Sequence, residues 1–432
     1  MRLPSMNSLY ASRAGWLLVM LCISSPASAL KISYSAALEV ENTDNSTRAP
    51  ASSAQSDTLL TTKLSAAASE SEGPLTYRLG SSWRNVQYSD RTFADQDYLD
   101  IDFSSNWLLW NRRLDLRIRE SLSQRRIDSL GVDTPDNVQN TNVFSISPLT
   151  SMRVSRRFQL QVVPTLTRNY FETTGNNNTT QSVGINWVYA LYRTANLTLS
   201  YKTDDVDYDD PAIFDTEFNN TSLSVAVSRR RSNITISLGN TEVNRAGVNT
   251  DGSSSSLLWN WNTTGASSFR FSYRSQLTDQ SSRVLIRTFD DDNNLVDVDI
   301  DNLTDVFRDK GALLRYSYNK AWLDASITLD TSEQDYSGTA NDRENRSLNL
   351  SLSRPLRSDI RASLGVRQST QEVPASSRED DRSSVNLSLS WNISRELRLR
   401  SSIKLEERDS TIDTNDYDET AVMVSLRYGV SR

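Results

Sequence analysis

Seven aspartates fall within the seventeen residues "FDDDNNLVDVDIDNLTD" at 289–305. Carboxylates at this density can hold a hard divalent cation, work as an acid–base pair, or decorate a solvated loop. Asp290, Asp292 and Asn294 match the first, third and fifth ligand positions of a calcium loop. Leu295 stands where that loop needs glycine, and Asp301 stands where it needs a bidentate glutamate. These four residues are therefore weak metal candidates. The flanking "VLIRTF" (284–289) and "LVDVDI" (295–300) alternate like strands, with Asp297, Asp299 and Asp301 on one face. The stretch is expected to be a solvated acidic hairpin, and nothing around it suggests the buried pocket that would raise one carboxyl pKa.

Other chemistries are narrowed by composition. The chain has no histidine and a single cysteine, Cys22. Thiol or Ser-His-Asp nucleophiles and the usual zinc, copper or haem ligand sets are excluded for a mature chain that lacks Cys22. No catalytic residue, cofactor-binding residue or cofactor is expected, and the chain is not expected to be an enzyme.

Residues 1–29 are expected to be an export signal. Arg2 and Arg13 precede and flank the apolar "GWLLVMLCI" (15–23), which is too short to span a bilayer, and "ASA" at 27–29 offers small residues for cleavage. Losing Arg2 and Arg13 takes the net charge from −7 to −9. So acidic an exported chain is a poor partner for nucleic acid. Hydrophobic residues make up only 37% of 432 residues, lean for a soluble core of that size.

The apolar residues alternate instead. "LDLRIRESLS" (114–123) sets Leu114, Leu116, Ile118 and Leu122 against Asp115, Arg117, Arg119 and Ser121. "FRFSYRS" (269–275), "IRASLGVR" (360–367), "VNLSLSWNI" (385–393) and "LRLRSSIKLE" (397–406) follow the same rule. Successive side chains of a strand point to opposite faces, so each run has one apolar and one polar face. Connections also alternate: tight turns such as 71–74, 111–113, 155–157 and 394–396, and longer polar loops at 42–57, 89–96, 128–140, 172–179, 209–217, 244–254, 279–305, 337–345, 371–382 and 408–418. Residues 30–432 are thus expected to form an all-β, transmembrane, antiparallel up-and-down barrel of about 20 strands, 18–22, with short periplasmic turns and long polar extracellular loops.

Aromatic residues divide by end. Trp107, Trp110, Trp187, Trp259, Trp261, Trp322 and Trp391 lie beside tight turns; Tyr88, Tyr98, Tyr170, Tyr208, Tyr336 and Tyr417 lie near long loops. Two lipid-anchoring belts are the expectation. The polar parity should line the lumen, including Arg117, Arg119, Arg270, Arg274, Arg361, Arg367, Arg398, Arg400 and Lys404. Lysine or arginine facing mid-bilayer would cost roughly 2–4 kcal/mol. Such residues could contact an anionic or hydroxyl-rich solute, or could only pair with carboxylates on neighbouring strands.

The opening "LKISYSAALEVENTDNST" (30–47), the stretch "DYLDIDFSSNWLLWNRRLDLRIRESLSQRRIDSLG" (97–131) and "TNVFSISP" (141–148) carry a further likeness. They resemble the porin-like outer-membrane barrels associated with the PEP-CTERM/exosortase system. The resemblance implies an outer-membrane location, lipid and lipopolysaccharide around the wall, and exopolysaccharide and periplasmic export components as partners. It also implies a terminal aromatic, a role open to Tyr428. The expected function is a polar channel or accessory component in exopolysaccharide or surface-polymer export. Alternatives are a plugged structural or surface-interaction barrel whose acidic loops bind a partner or matrix, and a general diffusion porin. The barrel would be a monomer or a trimer.

Overall fold

The computed structural model describes residues 30–110, 113–279, 305–336 and 341–431. The proposed signal (1–29), the four weak metal candidates Asp290, Asp292, Asn294 and Asp301, and the acidic hairpin at 284–300 lie outside the described residues.

The described residues form twenty strands. These are β1 Lys31–Thr43, β2 Asp57–Glu70, β3 Leu75–Tyr88, β4 Gln96–Leu109, β5 Leu114–Arg126, β6 Val138–Arg153, β7 Phe158–Phe171, β8 Asn178–Tyr192, β9 Ala195–Tyr208 and β10 Thr216–Arg229. The second half comprises β11 Ser232–Arg245, β12 Val248–Asn262, β13 Ser267–Thr278, β14 Phe307–Lys320, β15 Leu323–Tyr336, β16 Arg343–Pro355, β17 Ile360–Val373, β18 Arg378–Asn392, β19 Leu397–Ser410 and β20 Tyr417–Ser431. Each strand pairs antiparallel with the next in sequence, and β1 pairs with β20 from Ser33↔Ser431 to Thr43↔Ala421. The sheet is therefore a closed barrel with no free edge.

Directly opposed residues in a ladder share a face, so parity can be followed around the ring. Leu38 opposes Thr62 and Leu426; Leu426 opposes Leu399; Leu399 opposes Trp391. This face carries the exposed apolar residues, among them Leu38, Leu64, Leu223, Ile236, Leu387 and Val424. Hydrocarbon side chains directed away from the interior all around the ring require an apolar surrounding, which identifies the wall as membrane-facing. Toward the loop end the same face turns polar: β10 runs from Val227, Val225 and Leu223 to Thr221, Asn219 and Glu217, and β18 from Leu387 and Val385 to Ser383 and Asp381.

One ladder is interrupted. Between β6 and β7 pairing stops at Ile146↔Leu166 and resumes at Thr150↔Val162. Pro148 and Pro164 stand opposite each other in that gap. Neither has an N–H to donate, so two reciprocal ladder bonds are missing. The hydroxyls of Ser147 and Thr165, 2.7 Å apart, bridge the interruption.

Two expectations are corrected. Residues 244–254 are not a long loop: only Ala246 and Gly247 separate β11 from β12, with φ of 51° and 77°. Positive φ at both central residues makes a hairpin turn whose twist suits the flanking strands. The remainder, "VNTDGSSSS", is strand with polar residues on both faces. The tyrosine belt is also absent. Of the six tyrosines, only Tyr170 faces outward, 42% exposed. Ladder parity turns Tyr88, Tyr98, Tyr208, Tyr336 and Tyr417 inward. There the hydroxyls find partners: Tyr208 donates to Asp279 at 3.1 Å, Tyr336 to Gln334 at 3.1 Å and Tyr417 to Glu406 at 2.6 Å. The tryptophans do form an outer girdle at the turn end, where Trp107, Trp261, Trp322 and Trp391 are exposed.

Candidate lumen site

The interior is built by the polar parity. At the loop end it carries an apolar cluster: Val206, Tyr208, Phe218 and Val243 pack together, with Ile213, Leu277 and Val306 against them. Nearer the turn end it widens into a cavity of about 1140 Å³ between the β1–β5 and β12–β15 walls, extending to the lower ends of β19 and β20. Asp100, Asp102, Arg125, Arg270, Arg274 and Arg398 are among its lining residues.

Register sets all nine arginines and lysines singled out from the sequence on the face opposite the exposed apolar residues. Arg117 and Arg119 alternate with Leu116 and Ile118 on β5; Arg270 and Arg274 with Phe271 and Tyr273 on β13; Arg361 and Arg367 with Ala362 and Val366 on β17; Arg398, Arg400 and Lys404 with Leu399 and Ile403 on β19. They do not form one cluster. Arg270, Arg274 and Arg398 line the large cavity, and Arg125 and Arg427 join them there. Arg270 sits directly opposite Arg315.

The two roles envisaged for these cations divide between them. Arg117 pairs with Asp115 at 3.0 Å, Arg274 with Asp309 at 2.6 Å and Arg361 with Asp324 at 2.8 Å. Lys404 pairs with Glu406 and lies 3.7 Å from Glu419. Arg274 and Lys404 thereby tie neighbouring strands and Arg361 reaches two strands away, while Arg117 is neutralised within its own strand. In contrast, among the described residues Arg367, Arg398, Arg400 and Arg427 have no carboxylate at ion-pair distance. Arg398 opposes Arg427, with its Nε donating to Asn392 at 2.7 Å. Arg400 shares a cross-strand row with Ser390 and Arg361. Arg361, Arg398, Arg400 and Arg427 thus make a basic patch on the inner wall of β17–β20 near the turns. Like charges held side by side destabilise one another unless water or an anion screens them.

Sequence reasoning left out Arg427, although its alternation with Leu426 and Tyr428 was available. It also assigned Arg343, Arg378 and Arg408 to loops. Each belongs to a strand that continues past the last apolar outward residue.

The family described as "Putative beta-barrel porin 2" matches residues 321–429, the stretch from β15 through most of β20. No curated protein matches. Among solved structures, the FrpB iron transporter from Neisseria meningitidis (F5-1 variant) is similar with a TM-score of 0.50 and 10% identity, over 92% of this chain and 82% of that one. The siderophore receptor PirA from Pseudomonas aeruginosa gives 0.48 and 12%, over 94% and 81% of the two chains. OccK8 (OprE) from the same organism gives 0.38 and 9%, over 94% and 99%. At such identities the likeness to the first concerns the fold: a large closed antiparallel barrel.

Proposed function

We propose that this chain is a porin-like barrel of a bacterial outer membrane, exported by residues 1–29, whose interior favours anions. The observation that carries the reading is the basic patch of Arg361, Arg398, Arg400 and Arg427. Its cations lie on an inner wall, although the chain as a whole is acidic. A wall that concentrates one sign of charge raises the local concentration of the opposite sign and sets selectivity. The porin family match over residues 321–429, which includes this patch, supports the same reading. The finer proposal is a channel or accessory component for an anionic, hydroxyl-rich surface polymer such as an exopolysaccharide. Arginine suits its carboxylates through bidentate bonds, and the serines between the arginines suit its hydroxyls. Lipopolysaccharide around the polar collar and periplasmic export components below the turns are the partners this role calls for.

In planar bilayers the purified barrel should conduct, with a reversal potential in a salt gradient that marks anion preference. Arg398→Gln with Arg400→Gln should move that potential toward zero. Silence at every voltage would count against an open pore. A plugged, surface-interacting barrel is the second reading. It is favoured by the apolar cluster packed inside the loop end around Val206, Phe218 and Val243.

A further inference from the structure

The connection between β5 and β6 is longer than its topology needs. Ala246 and Gly247 alone join β11 to β12 at the same end of the barrel. The β5–β6 connection uses residues 127–137, and it has a shape of its own. The Asn137 side chain accepts from the Asp128 amide at 2.8 Å and donates to the carbonyls of Asp128 at 2.7 Å and Val132 at 2.9 Å. The Asp128 carboxylate accepts from the Leu130 amide at 2.9 Å.

The tip of this folded loop meets strands far around the ring. Arg343 of β16 donates to the Ser129 hydroxyl at 2.8 Å. Arg378 of β18 donates to the Leu130 carbonyl. Arg408 of β19 donates to the carbonyls of Leu130 at 2.7 Å and Gly131 at 3.0 Å. Arg48, on the β1–β2 connection, donates to the Asp133 carbonyl at 2.5 Å and pairs with its carboxylate at 3.1 Å. β16 lies ten places from β6 in a ring of twenty, so it is diametrically opposite. The loop therefore crosses the mouth.

The arginines that receive it are enclosed: Arg343 is 6% and Arg408 3% exposed. Their carboxylate partners are shared. Asp380 takes Arg378 at 2.8 Å and Arg408 at 3.2 Å, while Glu419 takes Arg48 at 3.1 Å. Burial works against the charge of Arg48, but Glu419 and then Asp133 more than offset it, holding the guanidinium protonated. Neutral carbonyl oxygens complete the shell. A carboxylate or phosphate is a stronger acceptor for arginine than a carbonyl, by about a factor of two.

We infer that residues 127–137 are a strap that closes the loop-end mouth, held by Arg343, Arg378, Arg408 and Arg48, and that a carboxylate- or phosphate-bearing solute releases it by taking over those arginines. The anionic solute, though not the strap, rests on the channel reading above.

The test is a pair of spin labels, one on the strap and one on the far rim, at Val132→Cys and Glu379→Cys in a Cys22→Ser background, on the full barrel in detergent. The distance between them is measured by electron-electron resonance. The intact chain should give one short, narrow distribution. Arg378→Gln with Arg408→Gln should lengthen and broaden it. Asn137→Ala, which loosens the strap without touching the wall, should broaden it too. Inorganic phosphate should lengthen it in the intact chain, while chloride at matched ionic strength should not. In bilayers the arginine variant should conduct at least about twofold more than the intact barrel. A distance indifferent to both the arginine and the Asn137 changes overturns the strap. A distance that ignores phosphate overturns release by an anion. The expected distances with a silent bilayer support the strap and sink only the channel.

Discussion

Arg367, Arg398, Arg400 and Arg427 differ from Arg274 and Arg361 in what they face, not in residue type. Where a carboxylate stands one or two strands away, as Asp324 does for Arg361, the cation ties strands together. Where only serine, asparagine, alanine or another arginine stands opposite, the charge is left for the lumen. The outer rim offers a simple titration of the first kind. Arg168 holds Asp209 through both carboxylate oxygens and also reaches the Thr179 hydroxyl at 2.9 Å. The hydrogen bond from Arg168 keeps the Asp209 carboxyl below its usual range. A value lower in the folded chain than in the unfolded one stabilises the fold above about pH 4, and the contribution is lost as pH falls through the lowered value. Both side chains are more than two-fifths exposed, 42% and 46%. Water screens the pair, leaving under about 1 kcal/mol. Asp209→Asn should therefore lower the thermal midpoint slightly at pH 7 and not at all near about pH 2, as measured by circular dichroism in detergent. An equal loss at both pH values would assign the effect to packing.

At the level of strands, the β6–β7 seam is where the wall is least complete. Pro148 and Pro164 each remove a donor from the same pair of positions, and the Ser147–Thr165 contact makes good only part of the loss. Replacing both with valine returns two N–H groups to the β6–β7 ladder and keeps the outward side chains apolar. Each restored bond is worth about 0.5–1.5 kcal/mol. Pro148→Val with Pro164→Val should raise the temperature at which the folded band disappears on a denaturing gel; a lower temperature would mean that the prolines fit a local bend the ladder cannot adopt. The same geometry explains what was legible in the sequence. Period two is visible wherever one face meets lipid and the other water, so the turn-end halves of strands such as β5, β13, β17 and β19 were readable. Above the lipid both faces are wet. Segments such as "REDDRSS" on β18 and "TEFNNT" on β10 lose the alternation and pass for loops, although the ladder continues through them. Tyr417 was recoverable, because it shares parity with Glu419 rather than with Val422. The strap was not: its partners Arg378 and Arg408 lie 248 and 277 residues away in sequence from the atoms they hold.

For the whole molecule, the height of the apolar belt sets the bilayer it suits. On β18 the outward apolar side chains run from Val385 to Trp391, and on β15 from Leu323 to Leu329. Seven residues at about 3.3 Å each, tilted by about 40°, rise roughly 18 Å. On β1 and β19 the belt is nine residues, Ile32–Val40 and Leu397–Leu405, which rise roughly 23 Å by the same geometry. This is short of the roughly 30 Å hydrocarbon core of a typical bilayer. The belt is bounded below by the tryptophan girdle and above by charge: Lys310 pairs with Glu333 at 2.8 Å, and Arg346 with Glu344 at 2.9 Å, all on the outward face. A thicker membrane would draw that collar into hydrocarbon, where lysine or arginine costs roughly 2–4 kcal/mol at the midplane and less near the interface. The bilayer would instead thin around the barrel, at a fraction of a kcal/mol per Å. Folding from urea into vesicles of short-chain lipid should accordingly be faster and resist denaturant better than folding into long-chain lipid. Neutralising the collar with Lys310→Gln and Arg346→Gln should narrow the difference. Equal stability across chain lengths would mean that the charged collar is no boundary to the lipid, and that the membrane-facing wall extends higher than its apolar side chains.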